Sequence, residues 1–137
     1  MKKLLVITAL VLFAGIAFGQ TLKKGNLIGV HVMSVELKPG ATMDQYVDFY
    51  NKKVIPAWEK SQEGVKLFML KGIRGEQENE IGMIVQFKDE AARNKSYNAD
   101  GTVTEFGGKV QEKMAPIIGE AEKIGTSTSK YTDWLVL

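Results

Sequence analysis

The chain has one histidine, His31, inside the stretch "NLIGVHVMSVELKPG" that runs from residue 26 to residue 40. An imidazole titrates near working pH, so His31 could act as a general base or orient a ligand. A histidine flanked by valines in mid-strand also packs well as a half-buried, hydrogen-bonded side chain, and both readings stay open. No serine or cysteine nucleophile motif accompanies it, so acyl transfer has no support. With no cysteine and no second histidine, a transition-metal site is not expected either.

The aromatic residues form the second candidate set. Tyr46, Tyr50 and Trp58 recur at helical spacing, and Trp134 stands near the C-terminus. They read either as plain core or as the wall of an apolar pocket with a tyrosine hydroxyl as its polar handle. Arg74, one of two arginines, could receive a carboxylate or could be a surface charge at a hairpin end. The acidic run "GEQENE" (75–80) lacks the ligand spacing of a calcium loop and reads as a solvated hairpin tip.

These residues need elements to position them. Leu27 to Lys38 is strand-like, and Pro39-Gly40 stops it. Thr42 with Gln45 three residues on is a capping-box pattern. From Met43 to Trp58 the apolar residues keep helical period, with Pro56 expected to bend the last turn. Val65–Arg74 and Glu80–Lys88 read as two strands joined by the polar stretch Gly75–Asn79. Asp89 can cap a short helical piece through Arg93, and "YNADGTVTE" is loop-like. A second amphipathic helix is expected over Phe106–Ile124, and "STSKYTDWLVL" closes the chain as a strand. The order β-α-β-β-α-β is the split βαβ, or ferredoxin-like, α+β arrangement: an antiparallel sheet with both helices on one face.

Composition sets further bounds. At 137 residues, 45% hydrophobic and 25% charged, the chain supports one domain. Residues 1–19 pair a basic start, Lys2 and Lys3, with an apolar run and small residues at Ala17 and Gly19, an export-signal pattern. The competing reading is an N-terminal anchor, but Leu4–Gly19 is only 16 uncharged residues, short of the roughly 20 a spanning helix needs. The expectation is a cleaved signal peptide and a mature domain of residues 20–137, periplasmic or extracellular in a bacterial-type cell, without a membrane anchor. Loss of Lys2 and Lys3 leaves 16 basic residues against 16 acidic ones, so the mature chain is formally neutral and a nucleic-acid partner is not expected.

One feature of the strands goes beyond the single sheet. A sheet with helices on one face should alternate to polar residues on the other. In the first strand Leu27, His31, Met33, Val35 and Leu37 share one side, yet Ile28, Val30 and Val32 share the other. In the second and third strands Phe68, Leu70 and Ile84 oppose further apolar residues. A two-sided apolar sheet marks an interface, and the simplest cover to expect is a second copy packed sheet to sheet.

This unit, entering its first helix through "ELKPGATMDQYVDFYNKKVIPAWE", resembles the dimeric α+β barrel superfamily over about Asn26 to Leu137. That group includes antibiotic-biosynthesis-type monooxygenases, haem-degrading monooxygenases and NIPSNAP-like proteins. The resemblance implies a homodimeric barrel and, in enzymes, a pocket between the helices and the sheet of one subunit. The haem-degrading relatives use an axial histidine on the second helix, and Phe106–Ile124 contains none, so no cofactor is expected. The expected role is therefore small-ligand binding or a noncatalytic module. The alternative is a cofactor-independent monooxygenase or isomerase acting on a small hydrophobic substrate. In either case Tyr46, Tyr50, Trp58, Arg74 and Trp134 are the ligand-binding candidates, and His31 is the catalytic one.

Overall fold

The computed structural model describes residues 22–137, so the expected export signal lies outside the described residues. Strand β1 (Leu27–Leu37) leads through a turn at Gly40, whose φ is +83°, into helix α1 (Met43–Phe49). A left-handed residue there suits glycine because it has no Cβ to clash. The capping box is complete: the Gln45 N–H donates to Thr42 Oγ1 at 3.2 Å, and the Thr42 N–H donates to Gln45 Oε1 at 2.9 Å.

The helix does not simply bend at Pro56. It passes through a π-helical turn, Tyr50–Val54, before resuming as α2 (Ile55–Ser61). Proline has no N–H to bond back along the helix, and the turn just before it carries one extra residue, with the Ile55 N–H donating to the Tyr50 carbonyl.

Strands β2 (Val65–Lys71) and β3 (Ile81–Phe87) form the hairpin, followed by the short α3 (Glu90–Asn94), α4 (Glu105–Glu122) and β4 (Gly125–Leu135). Strand β2 ends three residues earlier than the sequence suggests, which leaves Arg74 in the exposed hairpin loop. Asp89 caps α3 by accepting from the Ala92 N–H, and Thr104 caps α4 by accepting from the Gly107 N–H. The loop between these helices is pinned by a bridge from Tyr97 to Val103.

The four strands pair antiparallel in the order β2-β3-β1-β4, the ferredoxin-like topology the element order implies. Odd-numbered residues of β1 face the helices. Beneath the helices, Leu27, Val65, Leu67 and Phe87 pack with Ile55, and Met33 and Ile81 pack around Tyr46. Val54 joins Val110, Met114 and Ala121 of α4 in a helix-to-helix cluster. The opposite face carries the expected apolar surface, with Val32, Phe68, Leu70 and Trp134 all exposed. Among the described residues no helix is long and apolar enough to cross a membrane.

Candidate functional site

Antiparallel register brings the site together. On the helix side of the sheet, His31 in β1 lies between Met83 of β3 and Tyr131 of β4, and Gly29 lies between Val85 and Asp133. Residues directly opposite in adjacent strands put their side chains on the same face. His31 therefore stacks on Tyr131, with ring centroids 5.2 Å apart and planes 19° from parallel. Its Nδ1 lies 3.3 Å from Ser129 Oγ, a diagonal neighbour on β4.

Above these strands the π turn, α2 and α4 do not close fully on the sheet. They leave a cleft of about 300 Å³, roofed by Tyr50, Val54, Trp58 and Ile118. Its floor is apolar, formed by Met33, Leu67, Met83, Val85 and Phe87. Its other end is polar, formed by His31, Ser129, Tyr131, Asp133 and Arg93. The π turn contributes both Tyr50 and Val54, so the irregularity ahead of Pro56 shapes the roof.

Arg93 organises the polar end. It is 8% exposed, and its Nε donates to Asp133 Oδ2 at 3.1 Å while Nη1 donates to the carbonyls of Tyr97 (3.1 Å) and Asn98 (2.7 Å). Its guanidinium also lies 5.4 Å from the centre of the Tyr97 ring, within cation–π range. One side chain thus ties α3, the loop after it and β4 into a fixed wall.

Burial shapes the electrostatics. Loss of water around His31 lowers its pKa below the ordinary imidazole value, and the nearby Asp133 charge only partly opposes this. His31 is accordingly a neutral ring at pH 7. Burial likewise raises the Tyr97 and Tyr46 hydroxyls above the usual phenol range, so both stay protonated. Among the described residues no group of three or more histidine, cysteine or carboxylate side chains could hold a metal ion.

The structure brings His31, Tyr50 and Trp58 into one cleft. Tyr46 sits beside it, 1% exposed, its ring 4.6 Å from that of Tyr50 and its hydroxyl donating to Ser127 Oγ at 3.0 Å, as part of the core rather than the wall. Two expected ligand-binding residues stand elsewhere. Trp134 is 59% exposed on the opposite face of the sheet, because strand alternation turns it away once Asp133 points into the cleft. Arg74 is exposed in the hairpin loop, with no share in the cleft lining. Reasoning from sequence passed over Arg93, Asp133, Tyr131 and Ser129. The available signal was the alternation Ser129-Tyr131-Asp133, which puts three polar groups on one side of the last strand.

No family model matches the chain, and no curated protein matches it. Among solved structures, it is similar to SnoaB, a cofactor-independent oxygenase from Streptomyces nogalater. Identity there is 13%, over 82% of this chain and 94% of that one, with a TM-score of 0.50. A NIPSNAP family protein of unknown function from Agrobacterium tumefaciens superposes at 13% identity over 83% and 91% of the two chains, with a TM-score of 0.49. A putative antibiotic biosynthesis monooxygenase from Bacteroides thetaiotaomicron gives 16% identity, 82% and 90% coverage and a TM-score of 0.42. At these identities the likeness concerns architecture: the chain has the ferredoxin-like α+β fold, and its solved neighbours include monooxygenase-like and NIPSNAP proteins.

Proposed function

We propose that the protein binds a small hydrophobic molecule in the cleft between the sheet and the helices. The observation that carries this reading is the cleft itself, about 300 Å³ with an apolar floor and one polar end. Ligand sites combine apolar walls with a few placed polar groups in this way. Methionine methyl NMR tests it directly, with 1-methylnaphthalene as the probe. Met33 and Met83 line the cleft, whereas Met43 and Met114 do not. The first pair should shift on titration and the second should not; unmoved Met33 and Met83 methyls at saturating probe would overturn the reading.

A second reading, a cofactor-independent monooxygenase or isomerase, is favoured by one observation. His31 shares the cleft with Tyr50, and burial holds it neutral, as a general base must be. Proton exchange into D₂O at the acidic C–H of 2-tetralone probes this chemistry without assuming a reaction. A catalytic base requires protein-accelerated exchange that falls by about 10²-fold or more in His31→Ala. Equal exchange in both proteins removes His31 as a base.

The same proposal includes an exported homodimer. The exposed Val32, Phe68, Leu70 and Trp134 form the face a second copy would cover. Light scattering should give a dimer mass that drops to a monomer in Phe68→Asp, and a monomeric parent protein would end the dimer reading. Intact-mass analysis of the exported protein should place its N-terminus at Gln20.

A further inference from the structure

At the polar end of the cleft, Gly29 lines the wall beside His31 and Asp133. Gly29 stands in mid-strand with ordinary backbone angles, so no turn requires glycine there. What distinguishes the position is its surroundings: a Cβ built on Gly29 would lie 3.1 Å from Asp133 Oδ1 and 3.4 Å from His31 Nε2. Even a methyl group at this position would be crowded by both atoms, so glycine leaves them open to the cleft.

Both atoms are free to act. Arg93 engages Asp133 through Oδ2, which leaves Oδ1 an acceptor with no hydrogen bond among the described residues. The other imidazole nitrogen, Nδ1, lies against the Ser129 hydroxyl, which can donate to it. The negative charge of Asp133 lies on the Nε2 side of the ring and favours the tautomer with its proton there. The pair therefore offers one donor, Nε2–H, and one acceptor, Oδ1. A hydroxyl group needs that combination, because it accepts one hydrogen bond and donates another. A carboxylate does not suit it, since it has nothing to donate and would meet Asp133 with like charge. An ether can accept but cannot donate.

We propose that the notch over Gly29, between His31 Nε2 and Asp133 Oδ1, selects a neutral ligand bearing an alcohol or phenol hydroxyl. The hydroxyl donates to Asp133 and accepts from His31 while the ligand's apolar body lies toward Met83 and Trp58. The inference rests on the cleft being a ligand site and names the chemical group that site prefers. It also gives His31 a positioning role in recognition that requires no proton transfer.

The test compares 1-naphthol, 1-methoxynaphthalene and 1-naphthoate by calorimetric titration at pH 7, with 1-methylnaphthalene as the reference. Two hydrogen bonds in a half-buried site correspond to about a tenfold gain in affinity. The intact protein should therefore bind 1-naphthol about tenfold more tightly than 1-methoxynaphthalene or 1-methylnaphthalene, and 1-naphthoate more weakly than any of them. Gly29→Ala places a methyl group against Asp133 Oδ1 and His31 Nε2, which are side-chain atoms, and circular dichroism verifies that the variant keeps its fold. In that variant the ratio of 1-naphthol to 1-methoxynaphthalene affinity should fall to about one, whatever the change in absolute affinity. Equal binding of 1-naphthol and 1-methoxynaphthalene by the intact protein overturns the notch and leaves the cleft reading standing, as does a preference that survives in Gly29→Ala. Failure of every probe, including 1-methylnaphthalene, overturns the cleft and the notch together.

Discussion

Replacing Arg93 with methionine removes the group that holds the polar wall while keeping most of its aliphatic volume. Arg93 is buried, and its Nε and Nη1 supply one carboxylate and two carbonyls with hydrogen bonds of 2.7–3.1 Å. Methionine donates nothing, so all three acceptors lose their partner. Breaking a buried ion pair by removing one member costs about 3–5 kcal/mol. The Asp133 side chain retains 28% exposure, so water recovers part of its solvation, and the expected loss sits at the lower end, about 3 kcal/mol. In urea that moves the midpoint down by about 2 M for a slope near 1.5 kcal/mol/M, and it lowers Tm by on the order of 10 °C. Asp133→Asn keeps an acceptor and leaves both carbonyl bonds in place, so it should cost only about 1 kcal/mol. In the double variant the two losses should not add, because the carboxylate removed second is already unpaired. A coupling energy of about 1–2 kcal/mol is expected from the cycle. A loss below about 1 kcal/mol in Arg93→Met, or additivity within about 0.3 kcal/mol, would refute the view that Arg93 ties α3 and its loop to β4.

Two further outcomes follow from buried polar groups. His31 has a folded-state pKa below its unfolded value of about 6.5, so the unfolded chain binds the proton more readily. Its contribution is undiminished above that value and is lost as pH falls from about 6.5 toward the folded pKa; urea unfolding of His31→Gln should therefore show a shallower decline between pH 7.5 and 5 than the parent, and parallel curves would contradict this. Tyr46→Phe deletes the hydrogen bond to Ser127 while preserving the ring in its packed site, so it should cost about 1 kcal/mol in the same assay with little change in 1-methylnaphthalene affinity.

The readings that succeeded from sequence alone rest on local physics. The capping box at Thr42 and Gln45, the Asp89 cap and the break at Gly40 act over a few residues, and so did the helical stripe that carried Tyr50 and Trp58 to the cleft. The helix around Pro56 was less legible, because nothing local announced the π turn Tyr50–Val54 ahead of it. Val54 of that turn packs on Val110 and Met114 of α4, a contact between segments far apart in sequence. Trp134 shows a different limit. Alternation assigned it correctly to one side of β4, but the side that faces the helices is set by pairing with β1 across about a hundred residues of chain, through the register Ile28 to Trp134.

The sequence by itself determined the element order, the two-sided apolar character of β1 and hence a ferredoxin-like sheet with one covered and one exposed apolar face. Those properties follow from the period of the apolar residues, which any chain with this pattern must bury. Tertiary structure decided where the chemistry gathers. Gly29, His31, Arg93, Ser129, Tyr131 and Asp133 come from three separate segments, and only strand register and the Arg93 hydrogen bonds bring them to one end of a cleft. No local signal marks a glycine as the floor of a notch, because its meaning lies in the side chains that other strands place around it.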